Sequence, residues 1–127
     1  MSIPVQHQFS VHIASGQTLS NQIVAIPAGK RLIIENVSGK LNLPSPQVPF
    51  ISLQTAAFQI DVPGGTTTGL HFFPASAQSG TNTFVFGQRT YIGTMAGSSI
   101  TLTVSRNTSS GSLDGQLTIS GELVDAP

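Results

Sequence analysis

Residues 100–104 read Ile-Thr-Leu-Thr-Val. Apolar and hydroxyl side chains alternate there without a break. A period of two is the geometry of an extended chain, whose successive side chains point to opposite faces. The stretch therefore commits Ile100, Leu102 and Val104 to a core and Thr101 and Thr103 to the opposite face. The same period appears at Phe9, Val11 and Ile13, with Ser10 and His12 between them. It returns at the end of the chain in Leu117, Ile119, Gly121 and Leu123.

Between these stretches lie further strand-like runs, separated by turn chemistry. A run over 18–26 ends at Pro27-Ala28-Gly29. Residues 31–37, RLIIENV, are nearly continuous in apolar and β-branched character, which predicts a central strand covered on both faces. Ser38-Gly39 reads as a break, after which residues 40–43 continue briefly. Three prolines between Pro44 and Pro49 predict a loop or an edge, since each lacks a donor and fixes φ. Residues 50–53 and 57–62 read as two strands around Gln54-Thr55-Ala56, with Phe58, Ile60 and Val62 facing one way. Pro63-Gly64-Gly65 is a strong turn signal. Residues 67–73 form another strand, stopped by Pro74, and 75–82 a polar loop. Residues 83–88 and 89–95 follow, with Gly87 and Gly93 expected at bulges or close approaches. Residues 107–115 read as a long hairpin loop.

No window of twelve residues keeps a 3.6 period, so no significant helix is expected. About ten short strands at this spacing predict one all-β domain over residues 1–127, an antiparallel β-sandwich. A jelly-roll-like arrangement of eight strands with small extras is preferred, and an immunoglobulin-like sandwich stands second.

The composition fits that class. The 127 residues carry five basic and five acidic side chains, a net charge of zero and 8% charged residues, against about 25% in ordinary globular proteins. Serine and threonine supply 16 and 13 residues, so hydroxyls rather than ions must solvate the surface. No basic excess exists to hold nucleic acid. No apolar run approaches the roughly 18 residues of a spanning segment, so membrane insertion is not expected. The start of the chain lacks the basic and continuous apolar regions of a signal peptide. The expectation is a soluble protein, cytoplasmic or exported without an N-terminal signal. Cysteine is absent, which removes disulfide and thiolate chemistry.

Catalytic and metal-binding patterns are sparse. His7 and His12 differ by five positions and point to opposite faces of one regular strand; His71 stands apart. No metal site and no cofactor are expected. There is no GxSxG elbow for a nucleophilic serine. Glu35 with Asp61 or with Glu122 offers the only conceivable carboxylate pairs for hydrolysis. The glycine-rich 63–69 segment lacks the lysine of a phosphate loop. The two sequons, at Asn36 and Asn107, are of a kind frequent by chance in a Ser/Thr-rich chain. The aromatic residues concentrate between 72 and 91. Phe72 and Phe73 are adjacent and must diverge, while Phe84 and Phe86 share a core face. If a concave ligand site exists, His71, Phe73, Arg89 and Tyr91 are its expected residues, with a glycan or other small ligand as occupant.

Two stretches carry a resemblance. Residues 26–39, IPAGKRLIIENVSG, are similar to a PAGKRLxIE-x-VSG segment of small uncharacterised bacterial all-β proteins. Residues 100–106, ITLTVSR, with 117–125, LTISGELVD, resemble the C-terminal TxTVSR and LTISGxLVD segments of the same proteins. Glu122 stands where that pattern has an aromatic residue. The resemblance implies a bacterial, one-domain β protein and implies no activity.

The functional expectation is a non-enzymatic β-sandwich that forms a homo-oligomer and binds a ligand in some cases. Few surface charges oppose association, and five basic residues serve about ten strands whose edges normally need blunting. The alternatives are a lectin-like carbohydrate-binding module and a small hydrolase or cupin-like enzyme.

Overall fold

The alternation at residues 100–104 becomes a strand with its apolar side turned fully inward: Ile100, Leu102 and Val104 are buried, and Thr101 and Thr103 lie on the other face. The computed structural model describes residues 2–44, 46–78 and 82–126. Among these are nine strands and no helix. They are β1 (Ser2–Ile13), β2 (Leu19–Ala25), β3 (Lys30–Asn42), β4 (Pro49–Phe58), β5 (Thr66–Phe73), β6 (Ser76–Ala77), β7 (Thr83–Gly93), β8 (Ser99–Arg106) and β9 (Leu113–Asp125). The expected polar loop at 75–82 holds the short β6, and its residues 79–81 lie outside the described residues.

A five-stranded sheet has the order β1-β9-β3-β7-β6, and a four-stranded sheet the order β2-β8-β4-β5. Every pairing is antiparallel. Apart from the β4–β5 and β6–β7 pairs, each connection crosses from one sheet to the other. With β6 as a small extra strand, this is the order of an eight-stranded jelly roll. The two inner faces supply one core. Phe9, Val11, Ile13, Ile34, Val37, Leu41, Leu117 and Ile119 come from the larger sheet; Ile51, Leu53, Phe73, Ile100, Leu102 and Val104 come from the smaller. Each such side chain contributes about 1.5–3 kcal/mol by leaving water.

Several strands are longer than the sequence signals suggest. β3 runs unbroken through Ser38-Gly39. Gly39 does not end the strand; it makes room within the sandwich, because a Cβ there would lie 2.3 Å from Leu117 Cδ2 and 2.8 Å from the Gln116 carbonyl oxygen. β4 continues through Gln54-Thr55-Ala56, and Thr55 is buried on its inner face. Residues 59–65 are therefore a loop, with Ile60 fully exposed rather than part of a strand face. β7 joins the two runs expected over 83–95 into one strand.

β3 is central in its sheet, between β9 and β7, but only its inner face is covered. Leu32, Ile34 and Val37 are buried, whereas Glu35 is exposed. The spacing between Ile34 and Val37 is three because the register shifts between Ile34 and Asn36 against both neighbours. That bulge turns an apparently two-sided run into a one-sided strand. Gly87 and Gly93 have space for a Cβ or nearly so. Gly115 and Gly121 do not, since a Cβ would fall 2.2 Å from the Lys40 carbonyl oxygen and 1.9 Å from that of Ile33.

Candidate functional site

The outer face of the four-stranded sheet is built by register. Leu19 on β2 lies beside Ser105, which lies beside Phe50. The next row is Asn21, Thr103, Ser52 and Phe72, and the next Ile23, Thr101, Gln54 and Leu70. Phe58 sits opposite Thr66 towards the end of β4. Leu19, Ile23, Phe50, Phe58, Leu70 and Phe72 are each more than half exposed. The face bears no charged residue. Thr103 lies near its middle and donates its hydroxyl proton to Asn21 Oδ1 at 2.7 Å. Both edge strands, β2 (LSNQIVA) and β5 (TTTGLHFF), lack proline, lysine and any register shift.

The one charged residue on a strand of this sheet is Arg106, and it points inward. It continues the inward series Ile100, Leu102, Val104 and is 4% exposed. Its guanidinium donates to the carbonyl oxygens of Ala14 (3.1 Å), Gln17 (2.8 and 3.1 Å), Ser110 (3.3 Å) and Gly111 (2.7 Å), and to Gln47 Oε1 (3.1 Å). Five N–H groups in a rigid fork thus satisfy three loops that converge at one end of the sandwich. A buried cation without a carboxylate is tolerated because every N–H finds an oxygen. Gln47 is itself buried and donates to the Ser110 carbonyl oxygen.

The sequence-expected site residues do not share one face. His71 and Phe73 lie on β5 opposite Leu53 and Ile51, on the inner side. Phe73 is buried and packs at 6.1 Å, ring centre to ring centre, from Phe86. His71 Nε2 lies 3.5 Å from Thr55 Oγ1. Arg89 and Tyr91 lie on β7 on the outer side of the other sheet, offset from the inward Phe86 and Ile92, and Tyr91 is 82% exposed. Phe72 and Phe73 diverge as adjacent strand residues must: one is exposed and the other is core.

His7 and His12 fall on opposite sides of β1. His7 shares the side of Phe9, with ring centres 4.5 Å apart. His12 Nδ1 lies 2.5 Å from Asp114 Oδ1 on the opposite face. Among the described residues no three His, Asp or Glu side chains gather where they could hold a metal ion. Glu35 and Glu122 come to adjacent strands on the outer face of the five-stranded sheet, while Asp61 is in the β4–β5 loop. Lys30 and Asp125 form an ion pair at the end of that sheet, and the Lys30 ammonium hydrogen-bonded to the Asp125 carboxylate holds its pKa down at about 2. Arg31 Nε donates to the Thr94 carbonyl oxygen. Among the described residues no helix is long and apolar enough to cross a membrane. No family model and no curated protein matches the chain.

Proposed function

We propose that this protein is a non-enzymatic β-sandwich whose role is assembly, and that it associates with further copies of itself through the outer face of the four-stranded sheet. The observation that carries this reading is the coincidence of six exposed large apolar side chains with a complete lack of charge on one sheet face. A two-fold contact sets the same patch against itself. A charged patch then meets like charge, whereas an uncharged hydroxyl and apolar patch meets nothing that repels it. The apolar side chains stand on β2 and on β4 and β5, to either side of the serine and threonine row of β8, and exposed apolar surface gathered on one face with polar neighbours suits an interaction site. The unblunted edges β2 and β5 border the same face and leave its rim equally open to a neighbour. The chain's zero net charge adds no long-range repulsion between copies.

Light scattering during size-exclusion chromatography tests the reading. A defined multiple of 13.2 kDa at micromolar concentration is expected. A clean monomer across that range overturns it.

A further inference from the structure

The two ends of the sandwich differ. Arg106 closes one of them by binding Ala14 and Gln17, Gln47, and Ser110 and Gly111. At the other end, Thr94 is buried and its hydroxyl donates to the Leu32 carbonyl oxygen and accepts from the Leu32 N–H, which fastens the β7–β8 connection to β3. At the corner between the edge strands β1 and β2, one side-chain bond among the described residues links the two, from Gln22 Nε2 to the Ser10 carbonyl oxygen at 3.4 Å. There the sheets enclose an apolar cleft of about 180 Å³, open to solvent on one side. Val5, Ile119 and Leu123 wall it from the five-stranded sheet, and Val24 on β2 with Ile26 just after that strand wall it from the other side. Val5, Val24 and Leu123 are only partly buried although they point towards the core. The wall is one side chain short at Gly121, and the chain cannot supply it, because a Cβ there collides with the Ile33 carbonyl oxygen. His7 lies on the same lining, its ring held against Phe9, and is the imidazole at the rim.

We infer that this cleft is a binding site for a small uncharged molecule: an aromatic ring or a short alkyl chain of about six carbons, with a hydroxyl or carbonyl at the His7 end. Three features select that class. The volume is close to the roughly 150 Å³ of an apolar cavity that admits benzene. The walls are chiefly valine, leucine and isoleucine, with Gln6, His7 and Ser120 as the polar residues along them and no ion, so a charged group entering would lose its hydration without a counter-charge. His7 offers one hydrogen-bonding ring at the edge, which fixes orientation as a sparse polar group does in an apolar pocket. The site is distinct from the outer sheet face and does not depend on self-association.

The test is an amide-shift titration of the ¹⁵N-labelled protein with benzene, with 1-hexanol and with glucose. Saturable shifts confined to residues 5–7, 24–26 and 119–123 are expected with the first two and none with glucose. No saturable response, or one spread over the outer face around Ile23 and Phe72 instead, overturns the assignment. Val24→Phe fills the cleft and should abolish both responses while keeping the melting temperature. Should that variant not fold, Leu123→Phe fills it from the opposite wall, and a folded filled variant that still binds also overturns the site. His7→Ala should weaken hexanol and leave benzene unchanged; equal effects on both overturn the polar end of the assignment.

Discussion

The outer faces of the two sheets are made from the same kind of strand and carry opposite chemistry. Lys30, Arg31, Glu35 and Lys40 on β3, Arg89 on β7, and Asp114, Glu122 and Asp125 on β9 all belong to the five-stranded sheet. The outer face of the four-stranded sheet has none, and shows leucine, isoleucine and phenylalanine to water instead. With ten charged residues in the whole chain, an even spread would have put several on each face. The sheet edges follow the same division. In the larger sheet β1 carries Pro4, and β6 at the other edge is two residues long. Both devices discourage pairing by further strands. In the smaller sheet neither edge carries such a device. The charges are thus gathered on one side of the molecule, which a chain-wide figure of 8% charge conceals.

The strongest way to probe the difference is to change the smaller sheet's one charge. Arg106→Met should cost at least about 3 kcal/mol, because the part-buried Gln17 and Gly111 carbonyls and the buried Gln47 Oε1 lose their donor, at about 1–3 kcal/mol for each group left unpaired. Denaturant unfolding measures it. Loss under about 1 kcal/mol would show that water replaces the guanidinium freely and that the end of the sandwich needs no cation. Leu102→Ala, one strand step from the outer face, should cost about 2–5 kcal/mol through the cavity it leaves. In both, the fold weakens from within, so any change in oligomer mass should follow unfolding and not precede it.

Next come paired surface substitutions on the two faces. Thr103→Lys sets an ammonium in the middle of the uncharged face. It should dissociate the assembly to 13.2 kDa while costing the folded protomer under about 0.5 kcal/mol. Gln8→Lys makes the same chemical change on the exposed outer face of the five-stranded sheet, opposite Thr118. It should alter neither mass nor stability. If both variants keep their mass, the uncharged face is not a contact; if both lose it, the contact is not confined to one face.

The pattern of residues 100–104 made the β-sandwich legible, because alternation alone decides which side chains enter the core. The same rule, carried one step past Val104, places Arg106 inside; a lone arginine in register with a core series is a signal that sequence reading passed over. The lengths of β3, β4 and β7 were less legible. Serine, glycine and threonine mark turns when nothing else constrains them, yet Gly39 sits mid-strand because Leu117 and Phe86 on the flanking strands crowd it, and Thr55 because its side of β4 is buried. The uncharged face was legible only in part. Thr101 and Thr103 declared it, but Ile23, Leu70 and Phe72 come beside them through strand order, which no local pattern encodes. His71, Phe73, Arg89 and Tyr91 are near one another in sequence, and the crossing from β5 to β7 separates their faces.

The smallest expected effect is that of pH, and it follows from where the charges are. Asp125 is the group whose pKa is clearly displaced, from 3.8 to about 2, by its hydrogen bond with the Lys30 ammonium. A carboxylate with a depressed folded-state pKa stabilises the fold at pH values above 3.8, and that contribution is lost as the pH falls from there through about 2. The pair is exposed to solvent, so its contribution is small and weakens with salt. His12 and Asp114 form a second exposed pair, with side chains 63% and 60% accessible, of a kind that contributes roughly 0–1 kcal/mol. The melting temperature should therefore stay nearly flat between about pH 5 and pH 9 and begin to fall only in the range where Asp125 takes up its proton. Because no charged residue lies on the outer face of the four-stranded sheet, the assembly mass should also hold across that window. Scanning calorimetry and light scattering at matched ionic strength measure the two. A drop of more than roughly 10 °C between pH 5 and pH 9 would mean a buried ionic or histidine cluster, and a change of mass within that window would place a titrating group at the contact. Self-association would then involve the charged sheet, and the division of labour between the two faces would not hold.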